Sequence, residues 1–180
     1  MNVTIELSDA EKERYAGRIE GDLGLDGQLR LKQARAMVVG AGAAGSAAAA
    51  QLASFGVGYV AIVDGDTVRL RDLAGQSIYY TPDVGVRKAD TLAAKLGLLN
   101  PEVQVESYPV ALDATNATAI VAGHDVVLDC TRDRLAAEAL DASGATVLRL
   151  AERATGGADG ISLAADALDL LVRAVAEALG

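Results

Sequence analysis

Residues 36–46 read Ala-Met-Val-Val-Gly-Ala-Gly-Ala-Ala-Gly-Ser, and they limit what the chain can fold into more than any other stretch. An apolar run of strand character enters a G-x-G-x-x-G turn at Gly40, Gly42 and Gly45. Small residues at helical length follow, and then a second apolar run, Tyr59-Val-Ala-Ile-Val-Asp64. Each glycine has a mechanical task. The first makes the tight turn, the second lets backbone N–H groups approach a phosphate, and the third lets the helix pack on the strand. The helix N-terminus, opening at Ala43, adds partial positive charge for an anion. Asp64 lies 24 residues after Gly40, where a carboxylate closing the second strand meets ribose hydroxyls. The pattern points to a nucleotide-binding βαβ unit. The competing reading keeps the glycines for helix–sheet packing and Asp64 for a strand-end cap.

The rest of the chain extends this unit. Ser8-Asp-Ala-Glu11 is a capping-box pattern and predicts a helix over 9–19, followed by a glycine-rich loop over 20–27 and a helical turn or two from 28. Strands are expected over 36–39, 59–64, 103–108, 125–129 and 145–150. Helices are expected over 43–54, 86–98, 114–121, 132–140 and, with an apolar stripe, 161–179. Strands alternating with helices of this length imply an α/β, Rossmann-like, doubly wound and mainly parallel sheet with helices on both faces. The 180 residues read as one domain: a helical segment over 1–34, a core over 35–150 and a closing helix over 161–179. The connection over 65–85 is long for a βα loop, and such loops tend to carry function.

Composition removes several classes of function. Charges interrupt every apolar stretch before the roughly 18 residues a membrane span needs. The first residues lack the pattern of a signal peptide, so a cytoplasmic protein with no membrane partner is expected. One cysteine, Cys130, precludes an internal disulfide or a multi-cysteine zinc site. A net charge of −9 argues against nucleic acid as a partner. Cys130 directly after a buried strand suits a small core residue, and the lone His124 a surface or capping role.

Further residues fall into one ordered pattern: Arg14-Tyr15, Gly27-Gln28, Gly40 to Ser46, Gly56-Val-Gly58, Val63-Asp-Gly-Asp66-Thr-Val68, Leu73, Gln76, Gly85, Lys88, Leu99-Asn-Pro101 and His124-Asp-Val-Val-Leu-Asp-Cys-Thr131. Over residues 14–150 it resembles the ThiF/MoeB/HesA superfamily, the adenylating domain also found in ubiquitin-activating enzymes. The resemblance implies binding of ATP with Mg and of a ubiquitin-like or sulfur-carrier protein ending in Gly-Gly, whose C-terminal carboxylate is joined to AMP. It also implies a homodimer, or a heterodimer with a related subunit. The nucleotide contacts it carries over are Gly40, Gly42, Ala43, Gly45, Asp64, Asp66, Gln76 and Lys88. The catalytic candidates are Lys88, Arg18 and Asp72.

The departures are electrostatic. Adenylation brings a carboxylate onto an anionic phosphate, so cations must offset the developing charge. The resemblance implies two arginines, an asparagine, a lysine and an aspartate for that work. Here the first motif reads Arg14-Tyr-Ala-Gly17-Arg18, so its second arginine is absent or displaced by one position. In Arg71-Asp72-Leu73-Ala74-Gly75-Gln76 an aspartate stands for the asparagine and a glycine for the second arginine. Arg132 stands where a metal-linked carboxylate is implied. Arg69, Arg71 and Arg132 are either replacements or solvated surface. Residues 151–160 lack the cysteines of the corresponding family segment, so no zinc is expected. The expectation is an ATP-binding relative with weak or lost catalysis, a pseudoenzyme. The alternative is a non-catalytic partner subunit or binding module of an active adenylyltransferase. A nicotinamide dehydrogenase fits less well, because Gly85, Lys88 and Leu-Asn-Pro belong to the adenylating pattern.

Overall fold

The computed structural model describes residues 5–21 and 23–150. Five parallel strands form one sheet: β1 (Arg35–Val39), β2 (Tyr59–Val63), β3 (Gln104–Tyr108), β4 (Val126–Asp129) and β5 (Val147–Arg149), in the order β3-β2-β1-β4-β5. Val39 pairs with Val63 on one side and Asp129 on the other, so β1, β2 and β4 finish level. Strand alternation sends Ala36 and Val38 to one face and Met37 and Val39 to the other. Two separate cores result. Helices α4 (Ala43–Ser54) and α5 (Lys88–Leu99) bury Ala49, Leu52, Leu92 and Leu96 against the first face. Helices α6 (Ala117–Val121) and α7 (Arg134–Ser143) bury Val121, Ala136 and Leu140 against the second. The sheet is therefore doubly wound, as the alternation of elements predicts. The chain winds outward through β2 and β3 and then crosses back to β4 beside β1. That reversal opens a crevice at the C-terminal ends of the strands.

The N-terminal segment differs from expectation in two places. The capping box forms, with the Glu11 N–H donating to Ser8 Oγ (3.1 Å) and the Ser8 N–H to Glu11 Oε2 (2.7 Å). However, the helix over 9–19 is divided into α1 (Asp9–Arg14) and α2 (Ala16–Ile19). Tyr15, at φ −103° and ψ 9°, leaves helical geometry. Its buried ring lies where a Cβ on Gly56 would come within 2.5 Å of it. The loop over 20–27 is shorter than expected, since α3 (Gly24–Gln33) starts at a glycine. Buried Leu31 and Gln28, whose Nε2 donates to the Phe55 carbonyl (2.9 Å), outweigh the poor propensity of its glycines.

Later boundaries shift for local reasons. Asp113 accepts the Thr115 N–H (2.7 Å) and delays the start of α6. Asp133 caps α7 by accepting the Leu135 N–H (2.9 Å), so that helix opens at Arg134 instead of 132. The expected loop over 151–160 and closing helix over 161–179 lie outside the described residues. No described helix is long and apolar enough to cross a membrane.

One polar knot ties the N-terminal segment to the sheet. Asn100, fully buried, donates from Nδ2 to the Tyr15 hydroxyl (2.7 Å) and to the Ala53 carbonyl (2.7 Å). Replacing it with alanine takes a buried donor from the Tyr15 hydroxyl and leaves the Ala53 carbonyl only the Gly56 N–H (3.1 Å). Asn100→Ala should cost about 1–3 kcal/mol, read as a lowered midpoint in urea denaturation.

Candidate functional site

Loops following β1 to β4 enclose a cleft of about 460 Å³ at the crevice. Its floor is the glycine turn. Gly40 adopts φ +93°, and a Cβ there would meet Thr131 Cγ2 at 3.0 Å and the Cys130 carbonyl carbon at 3.2 Å. A Cβ on Gly45 would fall 1.7 Å from the Gly40 carbonyl oxygen, so α4 packs directly on the turn. A Cβ on Gly42 would meet nothing within 4 Å, because that residue faces open space. No side chain caps the start of α4, and Ala43 is exposed. The first-turn N–H groups are thus left for an anion or water.

Asp64 does not turn away from this floor. Its Oδ2 accepts the Ala41 N–H (2.7 Å) and its Oδ1 the Asp66 N–H (2.7 Å), and both acids line the cleft. Each carboxylate oxygen keeps a lone pair for a further donor. From the other side Tyr79, buried, donates its hydroxyl to the Ala41 carbonyl (2.9 Å). Burial and the nearby carboxylates of Asp64, Asp72 and Asp83 push that phenol above its ordinary value. The connection carrying Tyr79 folds back through two short 3₁₀ turns, Leu70–Ala74 and Thr81–Asp83, and an antiparallel bridge between Thr67 and Arg87. Asp66 accepts the Lys88 N–H on its carbonyl (2.9 Å), and the start of α5 thereby reaches the cleft.

The cleft is short of usable positive charge. Lys88 lines it, yet its ammonium is 3.2 Å from Asp72 Oδ2, with the two side chains only 9% and 12% exposed. Burial alone would raise the Asp72 carboxyl. The Arg69 N–H and the Lys88 ammonium outweigh that and hold it below its usual 3.8. Arg87 also lines the cleft, and its guanidinium donates to the Gly65 (3.0 Å) and Pro109 (3.3 Å) carbonyls. Any anion near Lys88 must share its ammonium with a carboxylate already in place.

Gly40, Gly42, Asp64, Asp66 and Lys88 come together in one cleft; Gly45 lies directly beneath the turn, and Ala43 begins the helix at its edge. Asp72 is brought in as the partner of Lys88. Gln76 is not among the lining residues, and its buried Oε1 has no hydrogen-bond partner among the described residues. Arg18 stacks on the Phe55 ring, 2.9 Å from its centroid. Phe55 caps the C-terminal end of α4, the end opposite Gly42, so Arg18 does not join the cleft of its own chain. His124 sits against the Val121 carbonyl (3.1 Å) before β4, away from the cleft. Cys130 lines the cleft as an inert thiol, pushed up to about 12 by burial and by Asp129. Sequence reasoning missed Tyr79, Arg87 and the apolar wall Val110 to Leu112. Among the described residues no group of three or more His, Cys, Asp or Glu side chains is arranged to hold a metal ion.

A nucleotide-type cleft at a topological switch point, with a G-x-G-x-x-G turn and a strand-end aspartate, defines a Rossmann-like nucleotide-fold protein. The chain belongs to the ThiF family, whose model matches residues 15–150. It is 44% identical over 128 residues to the adenylyltransferase and sulfurtransferase UBA4 of Candida glabrata, covering 70% of this chain and 30% of that one. It is 40% identical over 130 residues to the SAMP-activating enzyme E1 of Haloferax volcanii, covering 72% of this chain and 48% of that one. Among solved structures, the E. coli tRNA N6-threonylcarbamoyladenosine dehydratase TcdA in complex with ATP superposes with a TM-score of 0.74 at 26% identity. That match covers 81% of this chain and 61% of TcdA. The chain thus spans less than half the length of these two curated relatives.

The Asp72–Lys88 pair has a pH signature. A carboxyl held below its unfolded value adds stability that is present above about pH 4 and lost as pH falls through the folded value. Asp72→Asn should therefore cost about 1–2 kcal/mol near neutrality. In urea denaturation the gap from the native chain should close as pH drops below 3.8.

Proposed function

We propose that the cleft binds ATP, with its phosphates on Gly42 and the N-terminus of α4 and its ribose on Asp64. In this reading the chain is a ThiF-type adenylation domain for the C-terminal carboxylate of a ubiquitin-like or sulfur-carrier protein ending in Gly-Gly. The single observation that carries it is the open approach at Gly42, beside a glycine turn fixed from above by Tyr79 and from the side by Asp64. The relatives named above support it, since their names describe adenylyltransferases and an activating enzyme. The reaction joins a carboxylate oxygen to the α-phosphorus while the bond to pyrophosphate breaks. Charge then accumulates on the phosphate oxygens and requires cations.

Catalysis is weak in this reading. Lys88 is already neutralised by Asp72, and Gly75 offers no side chain where the resemblance implies an arginine. Each missing contact of this kind raises the barrier by about 3–4 kcal/mol, a loss of some hundreds-fold in rate. The same observation supports a second reading, in which the chain is the non-catalytic subunit of a pair. A homodimer or a heterodimer with a related subunit, a cytoplasmic setting, and Mg arriving with the nucleotide belong to the proposal through the resemblance.

Calorimetric titration with ATP tests the binding. Lys88→Ala should weaken affinity about tenfold, and Asp72→Asn should strengthen it by removing the competing carboxylate. ATP–pyrophosphate exchange with a Gly-Gly-ended carrier should be slow or absent. Robust exchange overturns the weak-catalysis reading, and no ATP binding overturns the whole.

A further inference from the structure

Two successive peptide units of the glycine turn are held from different sides. Asp64 Oδ2 takes the Ala41 N–H (2.7 Å), which belongs to the unit joining Gly40 and Ala41. Tyr79 donates its hydroxyl to the Ala41 carbonyl (2.9 Å), which belongs to the next unit, joining Ala41 and Gly42. That second unit also carries the Gly42 N–H. In a trans peptide the carbonyl and the N–H point in opposite directions. Tyr79 is buried and set back from the cleft lining, whereas Gly42 is part of it. The hydroxyl therefore holds the carbonyl inward and turns the Gly42 N–H outward, into the cleft. No described group accepts that N–H. A bond accepted by the carbonyl also polarises the N–H of the same unit.

A turn of this composition has a competing state. Gly42 stands at φ −77°, and glycine takes positive φ about as readily, so the unit can turn over at little backbone cost. Turned over, it would present the Ala41 carbonyl oxygen to the cleft and repel a phosphate. The Tyr79 bond opposes that state, because the flip leaves a buried hydroxyl without its acceptor. The other acceptor in reach, the Lys88 carbonyl, lies 3.5 Å away and replaces it poorly. Burial and the neighbouring carboxylates keep the phenol protonated, so it stays a donor. The ring is pinned in turn by α5. Lys95 Nζ donates to the Ile78 carbonyl (2.7 Å) and pairs with Asp83, which holds the connection on either side of Tyr79.

We infer that Tyr79 is a positioning residue which, through the Ala41 carbonyl, aims the Gly42 N–H at a phosphate and makes the cleft select nucleotides over nucleosides. Tyr79 takes this part only if the cleft binds a nucleotide, the reading on which the assignment rests. Its hydroxyl touches no ligand, and its effect on binding passes entirely through the orientation of one peptide unit.

The test compares AMP with adenosine by calorimetric titration of the full chain. The native chain should bind AMP about tenfold more tightly than adenosine. Tyr79→Phe removes only the hydroxyl and should weaken AMP about tenfold, while adenosine changes less than about twofold. Placing para-aminophenylalanine at position 79 supplies a donor again and should recover most of the loss. In nuclear magnetic resonance of the isotope-labelled native chain, AMP should move the Gly42 amide signal and adenosine should not. An unmoved Gly42 amide overturns the assignment, and this arm needs no variant to fold. Equal AMP affinity in the native chain and in Tyr79→Phe overturns it as well. Equal loss of AMP and adenosine also overturns it, by reducing Tyr79 to packing. In each of these cases the nucleotide reading survives. Should the native chain bind neither AMP, ATP nor adenosine, both fall together.

Discussion

Helix α4 can rest on the turn after β1 only because residue 45 has no side chain; a methyl group there would occupy the Gly40 carbonyl oxygen. That contact seats the helix N-terminus at the crevice and brings Gly42 to its mouth. The intervening peptide of Ala41 is then gripped on both sides, its N–H by Asp64 and its carbonyl by Tyr79. A loop of small residues would otherwise sample many conformations, with the entropy that glycine brings. Here the end of β2 and the folded connection after it hold the loop in one. The remaining geometry of the cleft follows from this grip, including the entry of α5 beside Asp66.

The same packing creates a conflict of charge. Lys88 opens α5 at a buried position, and a buried ammonium without a partner is strongly destabilising. Asp72 supplies the partner from the connection. The pair that stabilises the fold therefore opposes an anion at Lys88, since the carboxylate must be tolerated or displaced. An amide at residue 72 would accept from the ammonium without cancelling its charge. The carboxylate thus partners the buried ammonium fully, at the cost of its free charge.

Much of this was legible in the chain. The βαβ unit, both central strands and Asp64 were readable because their signals are local: a run of apolar residues, glycines at fixed offsets, an acid at a strand end. Tyr79 and Arg87 were not, because their roles depend on how residues 65–87 fold back, and the Thr67–Arg87 bridge leaves no periodic mark. The start of α3 at Gly24 was hidden for a related reason, since tertiary burial of Gln28 and Leu31 overrides local propensity. Arg18 shows the limit of motif position in the opposite sense. Its place in a motif suggested the cleft, whereas its guanidinium lies on Phe55 at the far end of α4.

That far end gathers several residues of the family pattern. Tyr15, Gln28, Gly56 and Asn100 meet there in one buried knot, with Gly56 at φ +78° under the Tyr15 ring and Asn100 joining Tyr15 to Ala53. A motif residue in that knot testifies to the docking of the N-terminal segment and of α4, not to chemistry. Identity to a relative at that end of α4 therefore reports on packing and says little about the cleft at the other end. The positions where the chain departs from the family pattern are few and electrostatic: Asp72 on Lys88, Gly75 without a side chain, and the exposed Arg132 beside the cleft residue Thr131. The Asp72–Lys88 pair sets the balance of charge in the cleft, and that balance, more than the number of motif matches, is where this chain differs from the family pattern.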